Sequence, residues 1–137
     1  MIRLLRYSIA AVITAFVFNV QAEKLDALFI NLTSDVKEHR TEMALVFASK
    51  ALKRGHDVTV FLNDKAVTGA VATNPDGVEA RDQMAILMSK GATVIACGHC
   101  MTHYGIDPTS LLKGIKSGDA ELVFGKLFTT DSRTLTW

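Results

Sequence analysis

The sequence has little of what marks a nucleic-acid-binding, disordered or disulfide-rich protein. Its 137 residues include only 2 cysteines and 2 prolines, and Lys plus Arg total 15 against 14 for Asp plus Glu. Without a basic excess, nothing favours binding to a nucleic-acid backbone, and we expect no nucleic-acid partner. Apolar residues make up 49% of the chain, which is the composition of a globular protein, and its length suits one domain.

The one long apolar run lies at the N-terminus and has the pattern of a secretory signal peptide. Two arginines precede an uncharged stretch over residues 7–18, and Ala22 ends a segment that suits a signal peptidase. The run is shorter than the roughly 20 residues that a membrane-spanning helix needs. We therefore predict a signal peptide over residues 1–22 and a mature domain over 23–137, free of the membrane, in an oxidising compartment, the bacterial periplasm. A retained membrane anchor is the alternative.

Beyond the predicted signal peptide, apolar strand-like segments alternate with helical patterns. Strands are predicted over 25–32, 57–62 and 93–96, with extended pieces at 121–125 and 133–137. Helices are predicted from an Asp35/Glu38 capping box up to Gly55, over 80–90, and from Asp107-Pro108 to about Ser117, with a partial helix over 64–72. Helices between strands require a mainly parallel sheet with both faces covered, so the sequence indicates an α/β fold.

Two segments fall at the carboxyl ends of predicted strands, where ligands and chemistry gather in such sheets. Thr33, Ser34 and Asp35 follow the first strand, and we interpret them chiefly as caps of the next helix. The sequence Cys-Gly-His-Cys follows the third strand and begins at Cys97. A cysteine where a buried strand meets a helix start is favoured as the nucleophilic thiolate. Cys97 is therefore the predicted reactive thiol.

Cys100 stands three positions after Cys97, which is the spacing of a redox-capable pair. The thioredoxin fold is not favoured, because Ala96 rather than an aromatic residue precedes the pair. In addition, Pro108 follows eight positions after Cys100 instead of facing it from a distant strand. Met101 directly after the pair excludes a c-type haem attachment site. The pair therefore indicates thiol chemistry without that fold.

Two other interpretations of the pair stay open. One is an inert structural disulfide, although closing so short a loop constrains the unfolded chain little, by about 2 kcal/mol. The other is a soft-metal site for Zn(II) or Cu(I), in which Cys97, Cys100 and His103 supply three ligands and His99 is adjacent. Met84, Met88 and Met101 are interpreted as core residues rather than as a copper-binding stripe.

Three segments carry a resemblance to a known family: ALFINLTSD, ALVFASKALKRGHDVTVFL, and VIACGHCMTHYGID, in which Gly105 follows eight residues after Cys97. On these segments the chain resembles the DsrE/DsrF-like family of small sulfur-relay proteins, which includes the TusD and YchN types. It looks in particular like exported members that have two cysteines here. The resemblance implies a flavodoxin-like, three-layer α/β subunit that assembles into trimers or hexamers.

The resemblance further implies that Cys97 carries sulfur as a persulfide passed between partners. Cys100 has no counterpart in the cytoplasmic carriers of the family. Its attack on a Cys97 persulfide would release sulfide and leave a disulfide. We therefore predict sulfur transfer or thiol redox exchange, with Cys100 as the resolving thiol and a protonated His99 or His103 assisting Cys97.

The expected partners follow from this chemistry. They are a sulfur donor or acceptor protein, or a thiol reductant, together with further copies of the chain. No phosphate-cradling glycine pattern follows the first strand, so no flavin, dinucleotide or other cofactor is expected. A function of another class, a non-catalytic oligomeric binding module with an idle disulfide, is the alternative.

Overall fold

The computed structural model describes residues 25–137, so the predicted signal peptide lies outside the described residues. The strands are β1 (Ala27–Leu32), β2 (Val58–Leu62), β3 (Thr93–Cys97), β4 (Lys116–Gly118) and β5 (Ser132–Thr136). The helices are α1 (His39–Lys53), α2 (Val78–Ser89), α3 (Gly98–His103) and α4 (Ala120–Leu127), with short 3-10 segments at Asp64–Ala70, Pro75–Gly77 and Pro108–Ser110. No helix within this part of the chain is long and apolar enough to cross a membrane.

The five strands form one sheet in the order β4-β3-β2-β1-β5, and every neighbouring pair is parallel. The chain steps from β1 to β4 in one direction and then returns to place β5 beside β1. Right-handed crossovers put α1 and α2 on one face and α4, which lies on the return path, on the other. The predicted α/β class with a mainly parallel sheet is confirmed.

The main core lies between the sheet and the α1/α2 layer. Strand residues such as Ile30 and Val60 are fully buried there, as expected for parallel strands covered on both faces. Met84 and Met101 are 2% exposed and Met88 packs against the same cluster. The interpretation of these three methionines as core residues is therefore confirmed.

The helix predicted from Asp107 to about Ser117 is wrong. The Asp107 carboxylate does accept the Thr109 backbone N–H at 2.7 Å, but it caps only the 3-10 segment Pro108–Ser110. The following backbone instead crosses to the 3-10 segment that begins at Asp64, where the Leu112 N–H donates to the Ala70 carbonyl at 2.8 Å. Gly114 then adopts a φ of 101°, and β4 begins at Lys116. The backbone hydrogen bond between Leu112 and Ala70 therefore sets the path of this segment, and the cap at Asp107 does not extend it into a longer helix.

The extended piece predicted at 121–125 is also wrong, because this segment belongs to α4. Asp119 is the N-cap of α4, and its carboxylate accepts the Leu122 N–H at 2.8 Å. Its apolar run therefore belongs to a helix, in which Leu122, Val123 and Leu127 are half-buried. Phe124 and the C-cap residue Phe128 are exposed. The final extended piece, now β5, is confirmed.

Candidate functional site

Cys97 is the last residue of β3 and the N-cap of α3, as the sequence predicts. Its Sγ accepts the backbone N–H of Cys100 at 3.3 Å, so the sulfur has a hydrogen-bond donor when it gains negative charge. Gly98 makes this position possible, because a Cβ there would lie 2.7 Å from the Gly118 carbonyl oxygen of β4. The glycine inside the CGHC motif therefore has a packing reason.

Cys100 lies one helical turn after Cys97, and both are free, half-buried thiols. Its Sγ donates to Asn63 Oδ1 at 3.0 Å and accepts the Asp64 backbone N–H at 3.3 Å. Burial, followed by the hydrogen bond to Cys97, raises the pKa of the Cys100 thiol, while the Asp64 N–H acts in the opposite direction. At neutral pH Cys100 is therefore a protonated thiol.

A chain of amide side chains connects Cys100 to the middle of the sheet. Asn63 directly follows β2, and its Nδ2 donates to Asn31 Oδ1 at 3.2 Å. Asn31 in turn lies on β1, where its Nδ2 contacts Thr136 Oγ1 of β5 at 3.5 Å. Polar groups from four elements thus meet at the carboxyl edge of the sheet beside the thiols, where α/β proteins place their chemistry.

A second side-chain contact joins the 3-10 segment Asp64–Ala70 to the end of α3. The Tyr104 hydroxyl donates to Asp64 Oδ1 at 2.7 Å, and this bond is the main reason why the pKa of Tyr104 is raised above its usual value. Asp64 itself has a φ of 46°, in the left-handed region that few non-glycine residues adopt. The Tyr104–Asp64 bond therefore ties a strained turn to the end of α3.

His99 and His103 are exposed on α3. The His103 ring stands edge-on to Tyr104 with 4.9 Å between ring centroids, and within residues 25–137 neither imidazole hydrogen-bonds to a cysteine. No three His, Cys, Asp or Glu side chains of the described chain come close enough together to hold a metal ion. The structure thus brings Cys97 and Cys100 together, but not His103 with them as a ligand set.

The loop after β1 has a structural role. The Thr33 hydroxyl donates to the Trp137 carbonyl at 2.6 Å, and the buried Ser34 and Thr41 hydroxyls lie 2.8 Å apart. The Asp35 N–H donates to Glu38 Oε1 at 3.3 Å, which is half of the predicted capping box, and Glu38 is the N-cap of α1. The interpretation of Thr33, Ser34 and Asp35 as caps of the next helix is wrong, because the N-cap of α1 is Glu38 and no side chain caps the helix. Their hydrogen bonds go to Trp137, to Thr41 and to the Lys37 N–H that precedes the helix.

Sequence reasoning missed four residues of the site: Asn31, Asn63, Asp64 and Tyr104. Asn63 had a usable signal, because it directly follows a predicted strand at the same sheet edge as Cys97. Asp64 and Tyr104 had none, since they meet across 40 sequence positions.

A cavity lies elsewhere in the described part of the chain. It has a volume of about 590 Å³ and sits between α1 and β5, lined by Leu28, Phe47 and Leu135 with Lys50 and Arg54 at its margin. Neither cysteine lines it. We assign the site to the cysteines rather than to this groove, because reactive groups rather than volume identify chemistry.

Comparisons with known proteins agree with the fold. YchN from E. coli superposes with a TM-score of 0.70 at 19% identity, over 82% of this chain and 99% of that one. MTH1491 from Methanobacterium thermoautotrophicum, a protein of unknown function, superposes with a TM-score of 0.67 at 14% identity, over 82% and 100% of the two chains. BT1422 from Bacteroides thetaiotaomicron, also of unknown function, superposes with a TM-score of 0.64 at 20% identity, over 82% of this chain and 95% of that one.

The curated proteins include no sequence with significant similarity to this chain. The model of the DsrE/DsrF-like family, however, matches residues 26–128, which include all of the sheet except β5 as well as both cysteines. The match confirms the resemblance seen in the strand and cysteine segments, and the chain belongs to the DsrE/DsrF-like family.

Proposed function

We propose that this protein acts in sulfur transfer or thiol exchange through Cys97 and Cys100. Membership of the DsrE/DsrF-like family suggests a sulfur-relay or related function. The observation that carries the finer proposal is the pair itself: two free, half-buried thiols one turn apart, with the Cys100 N–H directed at Cys97 Sγ. Cys97 is the sulfur-carrying residue and Cys100 the resolving one.

Loading is a transfer of sulfane sulfur from a persulfide donor. The Cys97 thiolate attacks the terminal sulfur of the donor, a new S–S bond forms, and the donor leaves as its thiolate, which takes up a proton. Cys97 then carries a persulfide, and no net oxidation has occurred. The Cys100 N–H, 3.3 Å from Cys97 Sγ, supports the charged sulfur before the attack.

The persulfide has two outcomes. Attack by an acceptor thiol on the outer sulfur passes it on and restores Cys97. Attack by the Cys100 thiolate on Cys97 Sγ instead breaks the S–S bond and releases hydrosulfide, so that the sulfane sulfur is reduced and the two cysteines are oxidised to a disulfide. A thiol reductant then returns the pair to the dithiol. His99 and His103, exposed on α3, lie where they can assist an incoming partner.

The proposal includes export. Residues 1–22 have the signal-peptide pattern, and the expected compartment is the periplasm, where sulfur donors, acceptors and reductants are the partners. The test is to produce the full chain in a Gram-negative host and determine the mass of the periplasmic product. A product that begins at Glu23 supports export, whereas an uncleaved chain retained in the cytoplasm or membrane contradicts it.

The proposal also includes a homo-oligomer, a trimer or hexamer. Phe124 of α4 and Phe128, the C-cap residue of that helix, are 54% and 77% exposed, and their ring centroids lie 5.8 Å apart. Exposed aromatic pairs of this kind are typical of interfaces. Light scattering measures the mass in solution, and Phe124→Ser with Phe128→Ser should reduce it to that of one chain. A monomeric wild type contradicts this part.

The experiment for the chemistry is intact-mass analysis after incubation with glutathione persulfide. A Cys100→Ser protein should gain one sulfur atom and keep it, because its resolving thiol is absent. A Cys97→Ser protein should gain none, and the wild type should release sulfide and end as a disulfide. Failure of both single variants to take up sulfur, with a disulfide in the wild type that resists mild reductants, would exclude sulfur transfer and favour the binding module.

A further inference from the structure

The orientation of the Asn63 side-chain amide is fixed by its neighbours. The Asp64 backbone N–H can only donate, and it lies 2.9 Å from Asn63 Oδ1, so this atom must be the carbonyl oxygen. On the other side, Asn63 Nδ2 meets Asn31 Oδ1 at 3.2 Å. Asn63 Oδ1 also lies 3.0 Å from Cys100 Sγ. A carbonyl oxygen accepts only, so the Cys100 thiol must donate.

We propose that Asn63 is a positioning residue that keeps Cys100 in reserve as a protonated thiol while Cys97 carries sulfur. This inference rests on the proposed function and deepens it, because it explains how a two-cysteine member can still act as a carrier. A Cys100 thiolate would face the Asn63 carbonyl dipole, which repels it. Asn63 thereby slows release of sulfide from the Cys97 persulfide and leaves time for transfer to an acceptor.

The other groups that bear on Cys100 are few. Cys97 at the end of β3 and the Asp64 carboxylate both act against its ionisation, and the Asp64 N–H favours it. Tyr104, the C-cap residue of α3, donates to the Asp64 carboxylate. Substitution of Asn63 removes none of these groups, but Asn63→Ala also takes away the acceptor of the Asp64 N–H, whereas Asn63→Asp keeps it.

Two substitutions of Asn63 should act in opposite directions. Asn63→Ala removes the acceptor and admits water, which favours the thiolate. Asn63→Asp keeps an acceptor for the Cys100 thiol and for the Asp64 N–H but adds a negative charge. That charge disfavours the Cys100 thiolate. A merely structural role would move both variants in the same direction, because both lose the Asn63–Asn31 bond.

The first measurement is the pH dependence of Cys100 alkylation by iodoacetamide. In Cys97→Ser protein Cys100 is the only thiol, since the chain has 2 cysteines. At neutral pH we expect alkylation about three- to tenfold faster in Asn63→Ala, the range for one hydrogen bond, and slower in Asn63→Asp. Asn74→Ala is the matched control, because Asn74 caps the Pro75–Gly77 segment as Asn63 caps the segment at Asp64, and it should change nothing.

Equal rates in Asn63→Ala, Asn63→Asp and Asn74→Ala, or a shift of both Asn63 variants in one direction, overturn the proposal. The second measurement uses protein with both cysteines, loaded with glutathione persulfide. Its persulfide should release sulfide about three- to tenfold faster in Asn63→Ala than in the wild type, and more slowly in Asn63→Asp. Equal release overturns the proposal as well. If no variant is loaded at all, the proposed function fails, while the alkylation profile still decides whether Asn63 controls Cys100.

Discussion

Two connections lie at the carboxyl edge of the same sheet, the loop after β1 and the junction of β3 with α3, and they differ in how their polar groups are used. After β1, Ser34 is 5% exposed and its hydroxyl bonds to the Thr41 hydroxyl. The Thr33 hydroxyl donates to the Trp137 carbonyl. After β3, Cys97 and Cys100 are half-buried and free. The hydroxyls around the loop after β1 are used in hydrogen bonds that fix the backbone. The junction of β3 with α3 instead leaves two thiols partly accessible.

The comparison shows that position at the sheet edge is not enough for function. Both loops stand where α/β proteins bind ligands. Hydroxyls at a helix start readily bond to nearby backbone, as Thr41 does to the Asp35 carbonyl at 2.7 Å. Thiols are weak hydrogen-bond partners and remain available for chemistry. The residue type therefore decides which of the two connections keeps side chains available for chemistry.

The largest expected effect separates the two loops by chemistry. Cys97→Ser should abolish sulfur uptake from a persulfide donor, because it removes the nucleophile. Ser34→Ala, on the other loop, should leave uptake unchanged. Intact mass measures both. Uptake by Cys97→Ser, or its loss in Ser34→Ala, would contradict the division of roles.

The next effect concerns the packing beneath the reactive loop. Gly98→Ala should lower the free energy of unfolding by about 2 kcal/mol, because the new Cβ meets the Gly118 carbonyl oxygen, a backbone atom that cannot rotate away. Gly125→Ala in α4 is the control, since nothing lies within 4 Å of its Cβ position, and it should be neutral or stabilising. Urea unfolding compares them, and equal stabilities would refute the close approach of Gly98, at the start of α3, to the end of β4.

A smaller effect is expected from the hydroxyl pair of the first loop. Thr41→Val keeps the shape of the side chain but leaves the buried Ser34 hydroxyl without its partner, at a cost of about 1.5 kcal/mol. The double substitution Ser34→Ala with Thr41→Val should recover part of that loss, because no unpaired hydroxyl remains. A double variant less stable than the sum of the two single effects would contradict this account.

The smallest effect is a titration at the edge of the thiol site. Tyr7 is the only other tyrosine of the sequence, so in Tyr7→Phe protein the phenolate absorbance reports Tyr104 alone. Its pKa should lie above the usual 10.0, and Asp64→Asn should lower it, because the hydrogen bond to the Asp64 carboxylate is the largest cause of the rise. Asp82→Asn, on the exposed side of α2, should have no effect.

The same titration has a consequence for stability. The folded-state pKa of Tyr104 is raised, so the contribution of its bond is fully present below the unfolded pKa and is lost as pH rises through the folded pKa. The free energy of unfolding of the wild type should therefore fall as the pH rises past 10, and this fall should be smaller in Asp64→Asn. An unchanged alkaline limb would show that the bond does not persist in solution.

Much of the fold could be predicted because its determinants are local. Apolar runs of strand length and glycines after helices locate β1, β2, β3 and α1 to within a few residues. The errors fall in the segment after the cysteines, where Asp107 has a good capping signal that long-range pairing of Leu112 with Ala70 overrides. The run at 121–125 has an apolar content that suits a strand, but the Asp119 carboxylate accepts the Leu122 N–H and begins a helix there.

The sequence by itself determined the α/β class, the parallel sheet and the place of Cys97 at the end of β3, because burial patterns and the CGHC spacing are local properties of the chain. Only the tertiary structure decided what surrounds Cys100. Asn63 and Asp64 are 37 and 36 positions away from it and reach its sulfur because parallel strands end at a common edge. Such contacts depend on the order and direction of the strands in the sheet, which the residues next to Cys100 in the sequence do not specify.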